Sequence, residues 1–322
     1  MKLLKQKRVG LIIRTFNTKP DLVDDRVARV FETVVKALEL KVDGDHVFSR
    51  VDIIVAADPL YADCDCGDTR DEIVRTIAMM KSDEAQWTEQ HDSVANFPII
   101  DLINKIHVSE VKKGDIFVGL LNFGIMKQVR DRIDYSVIIS SGVNSYMTPE
   151  NVGAMLTAIK EGALVAGMAI DELSELTMRG RIANTFAMWD NQALGQVGLF
   201  DYRAAKPKKD DKRALYLQGW SEEIERDKGN GEVYYHRAGV EEITPLVRLA
   251  RTFGPCIAPI LPIGEGLQWV APDPIKDPEG YSRHLKKLGT KAVRQEAWMF
   301  EEGVDETFLE GMVLPKYRKQ NA

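Results

Sequence analysis

Residues 135–152 read YSVIISSGVNSYMTPENV, an apolar run followed by small polar residues and then by the start pattern of a helix. The apolar run contains several β-branched residues and predicts a buried strand. Thr148 is a residue type favoured at a helix N-cap, and Pro149 suits the first helical position, so a helix is predicted to begin there. In open α/β sheets, ligands bind beyond the carboxyl ends of the strands. We therefore expect a ligand site at residues 140–144.

The same alternation of strand and helix patterns repeats along the chain. Short apolar runs predict strands at residues 9–16, 51–57, 135–139, 163–170 and 256–261. Apolar residues at helical spacing predict helices at about 21–40, 69–80, 123–132, 149–162 and 239–254. Strands that alternate with helices favour a three-layer α/β fold with a mostly parallel sheet. We expect this fold, with helices flanking the sheet and an irregular C-terminal portion.

Composition excludes several classes of protein. The 322 residues carry a formal net charge of −6. A negatively charged protein does not attract a polyanion such as nucleic acid, so we expect no nucleic-acid partner. Three cysteines, an odd number in a large chain, favour a reducing, cytoplasmic location over a disulfide scaffold. No apolar run reaches the roughly 18 residues of a membrane-spanning helix, so no transmembrane segment is expected. The oligomeric state is not predicted.

Several short motifs follow one another in a definite order between residues 9 and 261. They are RTFN at 14–17, an aspartate after the second predicted strand at 58, LNFGI at 121–125, GLFD at 198–201 and GVEE at 239–242. In this order they resemble the GT-A fold of nucleotide-sugar glycosyltransferases, particularly the inverting, family-2-like enzymes. The resemblance implies a GT-A-like, Rossmann-like catalytic domain that binds a nucleotide sugar over residues 1–265. Residues 266–322 would be a C-terminal extension.

The resemblance also implies residues that contact the nucleotide-sugar donor. Arg14, Thr15 and Asn17 belong to the motif at the end of the first strand, and Asn122 belongs to the later LNFGI motif. Asp58 corresponds to the aspartate that reads the nucleotide base, and a carboxylate can accept hydrogen bonds from the N–H groups of uracil or guanine. The alternative for Asp58 is an Asp-Pro turn that only ends the strand.

The acidic pair Glu241-Glu242 is the candidate catalytic group. In the resemblance, Glu242 matches the catalytic aspartate of the family and Glu241 matches the acid before it. A carboxylate base would remove the proton of an acceptor hydroxyl during an inverting transfer. The alternative is that both acids only favour a helix N-terminus through the helix dipole.

Trp189-Asp190 is the candidate acceptor site. Sugar rings stack on aromatic faces, and their hydroxyl groups pair with carboxylates. The alternative is that Trp189 is simply a partly buried residue.

The metal motif of the family is missing from the stretch that decides the fold. Its D-x-D carboxylates would hold Mn²⁺ or Mg²⁺ against the donor diphosphate, but Gly142, Val143 and Asn144 stand at this position. Asn144 offers a neutral carbonyl oxygen as a weaker metal ligand. Three outcomes stay open: a metal-independent enzyme that uses Arg or Lys on the phosphates, a displaced metal site, or a fold that has lost catalysis.

The predicted function is a glycosyltransferase that moves a sugar from a nucleotide-diphosphate sugar to the hydroxyl group of a saccharide or another acceptor. The first alternative is a catalytically silent GT-A-like protein that binds or assembles. A nucleotidyltransferase is a third hypothesis, although the glycine-rich basic loop that such an enzyme normally carries after the first strand is not found here.

Overall fold

The computed structural model describes residues 7–16, 23–57, 68–82, 103–112, 118–169, 182, 185–201, 241–264, 273–282, 298–299 and 302–318. The strands of the main sheet are β1 (Val9–Phe16), β2 (Phe48–Ala57), β3 (Ile106–Lys112), β4 (Tyr135–Ser140), β5 (Val165–Met168), β6 (Phe186–Asp190) and β7 (Ile257–Ile260). The helices are α1 (Val23–Glu39), α2 (Asp68–Ser82), α3 (Val118–Arg130), α4 (Pro149–Lys160), α5 (Asn191–Val197), α6 (Ile243–Phe253), α7 (Glu306–Gly311) and α8 (Pro315–Arg318).

The described strands form one seven-stranded sheet in the order β3-β2-β1-β4-β6-β5-β7. β1 lies at the centre of its parallel part, because it pairs in parallel with both β2 and β4. β6 runs antiparallel to its two neighbours, β4 and β5, whereas β7 is parallel to β5. The predicted α/β class, with a mostly parallel sheet flanked by helices, is confirmed.

Helices cover both faces of the sheet. Helices α1, α2, α4 and α8 share one core with Leu11 and Ile13 of β1. Helices α3, α5, α6 and α7 share the other core with Ile12. Because successive side chains of a strand point to opposite faces, Arg14 continues the face of Ile12, and Thr15 continues the face of Ile13.

The decisive stretch folds as predicted. The backbone N–H of Asn151 donates to the Thr148 hydroxyl at 3.2 Å, and Pro149 opens α4. A six-residue 3₁₀ turn, Ser141–Tyr146, connects β4 to this cap. The residues at 140–144 therefore lie at the carboxyl end of a strand, which is the position expected for a ligand site.

Several elements differ from the sequence prediction. β3 and β6 were not predicted, and α3 begins at Val118 rather than at residue 123, whereas α6 begins at Ile243, about one turn after the predicted start. The two-residue strands Lys41–Val42 and Asp45–His46 also form an antiparallel hairpin before β2. Its Asp43-Gly44 turn has positive φ angles of 54° and 86°, the conformation that an Asp-Gly pair favours in tight hairpins.

The described part of the predicted C-terminal extension packs against the same sheet. The N–H groups of Cys256 and Ile257 donate to the Met312 carbonyl at 2.9 and 3.1 Å, and Val313 forms an isolated parallel bridge with Ile257. Trp298, with 5% exposure, belongs to the core beneath α6. Among the helices in the described ranges, none has the length and apolar character needed to cross a membrane.

Candidate functional site

Three predicted site residues meet at the carboxyl edge of the parallel strands. Arg14, near the end of β1, is 9% exposed, and Glu241 and Glu242, just before α6, are 3% and 1% exposed. Burial lowers the pKa of the Arg14 guanidinium, and the negative charges of Glu241 and Glu242 partly oppose this shift. Buried charges are tolerated when opposite charges lie close to them. The structure thus brings Arg14 and the candidate catalytic pair into one buried cluster.

Helix α6 sets the position of the acidic pair. Glu242 occupies the residue before the first helical position, and its carbonyl accepts a hydrogen bond from the N–H of Leu246 at 3.2 Å. The helix dipole favours negative side chains at this end, which is the alternative role considered above for Glu241 and Glu242. Both side chains are also buried at the site edge, which is unlike a solvated helix start.

The turn at residues 198–201 links this cluster to α3. The side-chain amide of Asn122 donates to the Phe200 carbonyl at 2.9 Å and accepts from the Phe200 N–H at 3.0 Å. Arg248 of α6 pairs with Asp201 at 2.9 Å. Two motifs that are far apart in sequence, LNFGI and GLFD, are therefore joined by direct contacts, and the second also contacts α6. Asn122, predicted to bind substrate, uses its amide to hold this turn.

Three hydroxyl groups at this edge are buried without a hydrogen-bond partner among the described residues. They belong to Thr15, Ser141 and Thr244, whose exposures are 1%, 1% and 0%. An unsatisfied buried hydroxyl costs about 1–3 kcal/mol, and such groups in a folded protein call for an explanation such as a ligand or water. Thr15 was predicted from its motif. Ser141 and Thr244 were not, although Ser141 falls within the stretch expected to hold the site.

Asn144 lies towards α1. Its backbone carbonyl accepts from Lys36 Nζ at 3.5 Å. Asn144 and Lys36 lower the pKa of the nearby Glu32 carboxylate, although the buried Nδ2 of Asn144 has no hydrogen-bond partner of normal geometry among the described residues. Helix α1 covers the face of the sheet opposite to α6, so Asn144 is not brought to the acidic pair.

The described residues do not fit the metal site that the resemblance implies. Within these ranges, no group of three His, Cys, Asp or Glu side chains could hold a metal ion. Asn144 lies towards α1, away from the acidic pair, and the charges of Glu241 and Glu242 interact with Arg14. No catalytic step is therefore derived through a metal ion.

Trp189 and Asp190 lie at the opposite edge of the sheet. Asp190 pairs in register with Tyr135, the first residue of β4. Trp189 is fully buried and contacts Phe200 edge to face, with ring centroids 5.0 Å apart. Asp190 caps α5 by accepting from the N–H of Ala193 at 2.9 Å. The acceptor-site prediction rested on the residue types of Trp189 and Asp190, and the antiparallel direction of β6 places both residues at the edge opposite to the acidic cluster.

Two further predicted donor residues, Asn17 and Asp58, lie outside the described residues. In the sequence they directly follow β1 and β2, which are adjacent parallel strands.

No protein-family model matches the chain. No curated protein matches it either. Among solved structures, the chain resembles 4-diphosphocytidyl-2C-methyl-D-erythritol synthase from Anaerococcus prevotii, with 11% identity over 88% of this chain and 99% of that chain and a TM-score of 0.41. It also resembles a mannosyltransferase from Pyrobaculum calidifontis in complex with GDP-Man and Mn²⁺, with 12% identity over 98% of this chain and 83% of that chain and a TM-score of 0.34. A third likeness is to residues 1–349 of TarS from S. aureus, with 9% identity, 92% of each chain covered and a TM-score of 0.36. These remote likenesses assign neither a family nor an activity.

Proposed function

We propose that the chain is a glycosyltransferase that moves a sugar from a nucleotide-diphosphate sugar to an acceptor hydroxyl. The observation that carries the proposal is the buried cluster of Arg14, Glu241 and Glu242 at the carboxyl edge of the sheet. This edge is where open α/β sheets bind their ligands, and a buried carboxylate there is suited to proton transfer.

In this proposal, Glu242 is the general base. Its carboxylate takes the proton from the acceptor hydroxyl while the acceptor oxygen attacks the anomeric carbon of the sugar. The bond between that carbon and the diphosphate oxygen breaks, and the nucleoside diphosphate leaves with the bonding electrons. Arg14 balances the charge of the buried acidic pair and keeps it in place before a substrate binds.

An unsatisfied hydroxyl group supports a polar ligand beside the acidic pair. Thr244 lies in the first turn of α6, just after Glu242, and its hydroxyl can donate one hydrogen bond and accept others. Phosphate oxygens and sugar hydroxyls are matching partners for such a group. A ligand that reaches this hydroxyl would recover about 1–3 kcal/mol, whereas Thr15 lies on the opposite face of the sheet.

Calorimetry with a panel of UDP- and GDP-sugars, each with and without Mn²⁺, tests the proposal. We expect saturable binding of at least one donor, and release of its nucleoside diphosphate when a panel of saccharide acceptors is added. Absence of binding by every donor would refute the proposal. Binding without turnover would instead favour the catalytically silent protein, and pyrophosphate release from a nucleoside triphosphate would favour a nucleotidyltransferase.

A further inference from the structure

A cavity lies at the amino edge of the sheet, at the opposite end of β1 from the acidic cluster. It has a volume of about 390 Å³ and is formed by the starts of β1 and β2, the hairpin at residues 41–46 and the end of α4. This volume is within the range of about 300–1,000 Å³ that is typical of small-molecule sites, near its lower end. The cavity can therefore hold a small ligand.

Part of the cavity wall is apolar. Val42 and Val47 line it and are only partly buried, so they present apolar surface to a ligand. An apolar group placed against this surface loses contact with water, which favours binding. The wall favours a ligand with an apolar portion.

The rim of the cavity carries opposite charges on two separate elements. Lys160 closes α4 on one side, and Asp43 and Asp45 lie on the hairpin on the other side. All three are exposed, and none of their side chains has an ion pair or hydrogen bond within the described residues. The rim thus offers one cation and two carboxylates to a bound molecule.

Two other basic side chains of the cavity are already engaged. Lys7 Nζ lies 3.0 Å from the carboxylate of Asp134, and Arg8 Nη1 donates to the Asp131 carbonyl at 2.8 Å. Burial and the nearby charge of Lys41 lower the pKa of His46, which disfavours its charged form, and its buried ring nitrogens have no hydrogen-bond partner among the described residues. Lys160 is therefore the cation that the described lining residues offer to a simple anion, and the two carboxylates of the same rim disfavour an anion.

We propose that this cavity binds a small zwitterion with an apolar side group, such as an apolar α-amino acid. The ligand's ammonium group contacts Asp43 and Asp45, its carboxylate contacts Lys160, and its apolar group packs against Val42 and Val47. A molecule that makes both sets of charge-assisted hydrogen bonds binds more tightly than one that makes a single set.

Three matched probes test this proposal by calorimetry on the full chain. They are L-phenylalanine, 3-phenylpropionate and 2-phenylethylamine, which share a phenyl group and carry both charges, only the carboxylate or only the ammonium group. We expect L-phenylalanine to bind about tenfold more tightly than either other probe. Equal affinity for the three probes, or no saturable binding of L-phenylalanine, would overturn the proposal.

Variants assign the binding to this cavity. Lys160→Gln should weaken L-phenylalanine about tenfold and leave 2-phenylethylamine unchanged, because only the carboxylate contact is removed. Asp43→Asn combined with Asp45→Asn should weaken 2-phenylethylamine and leave 3-phenylpropionate unchanged. Lys276→Gln changes an exposed lysine outside the cavity and serves as the control.

If Lys160→Gln binds L-phenylalanine as tightly as this control does, the site is not the one proposed. The readout is binding alone, so the result is independent of the proposed transferase activity.

Discussion

Removing the guanidinium of Arg50 should destabilise the protein severely, because it leaves the carboxylate of Asp52 buried with fewer partners. Asp52 lies in the middle of β2 and is fully buried. Arg50 Nε and Nη2 contact its two carboxylate oxygens at 2.6 and 2.8 Å, and Nη1 reaches Asp131. Lys127 Nζ lies 3.4 Å from the same carboxylate, and Gln128 donates to it at 3.1 Å. The buried charge of Asp52 is thus balanced mainly by Arg50.

The magnitude follows from these contacts. Breaking a buried ion pair by removing one partner costs about 3–5 kcal/mol. Lys127 and Gln128 remain on Asp52 in an Arg50→Met variant, so we expect a loss near the lower end, about 3 kcal/mol. Methionine keeps an apolar stem of similar length, which limits the loss of packing.

Urea unfolding followed by circular dichroism measures this loss. Arg75→Met is the matched control, because it makes the same substitution at a side chain that is 67% exposed and pairs with Glu72 on the surface of α2. Exposed pairs contribute about 0–1 kcal/mol, so the control should change the free energy of unfolding by no more than that. A loss of less than about 1 kcal/mol in Arg50→Met would refute the assignment of Arg50 as the main partner of Asp52.

Three further predictions follow from other contacts. Asn122→Ala removes both hydrogen bonds to the turn after α5, and we expect a loss of about 2 kcal/mol in the free energy of unfolding by urea; an unchanged midpoint would contradict it. Hydrogen bonds from Lys316 and Tyr317 lower the pKa of Glu161 below its ordinary value of 4.5. The ionised Glu161 therefore stabilises the folded protein above that pH, and this contribution is lost as the pH falls through the lowered pKa. Unfolding measured between about pH 5 and pH 3 should therefore show a smaller loss of stability in Glu161→Gln than in the unmodified chain, and parallel curves would contradict the contact. Burial raises the pKa of the Cys256 thiol to about 12, so peptide mapping after iodoacetamide treatment at pH 8 should find it unmodified in the folded protein and modified in urea.

The sequence predicts β1, β2 and β4 of the parallel part of the fold, because buried parallel strands and amphipathic helices leave simple patterns. β1 is found at Val9–Phe16, as predicted, and α4 begins at Pro149 after the Thr148 cap. β3, which is also parallel, was not predicted, and neither was β6, whose residues, FAMWD, lack an alternating pattern and include no β-branched residue. The antiparallel direction of β6 depends on tertiary pairing that local sequence does not encode, so the sequence could not show at which edge Trp189 lies.

The candidate site was only partly predictable because it, too, depends on tertiary packing. Glu241 and Glu242 were identified from a motif, but their burial beside Arg14 depends on how α6 packs against the end of β1. The unsatisfied hydroxyls of Ser141 and Thr244 depend on the same packing. Serine and threonine are common at turns and helix starts, so their residue types alone do not distinguish a site from a cap.

The most direct test of the central claim compares donor binding and turnover in Glu242→Gln, using the donor that calorimetry identifies. Glutamine keeps the size of the side chain but cannot act as a base at neutral pH. We predict that the dissociation constant for the donor changes little, whereas the rate of sugar transfer falls about 10²- to 10⁴-fold. Full turnover by Glu242→Gln, with normal donor binding, would contradict the role of Glu242 as the base.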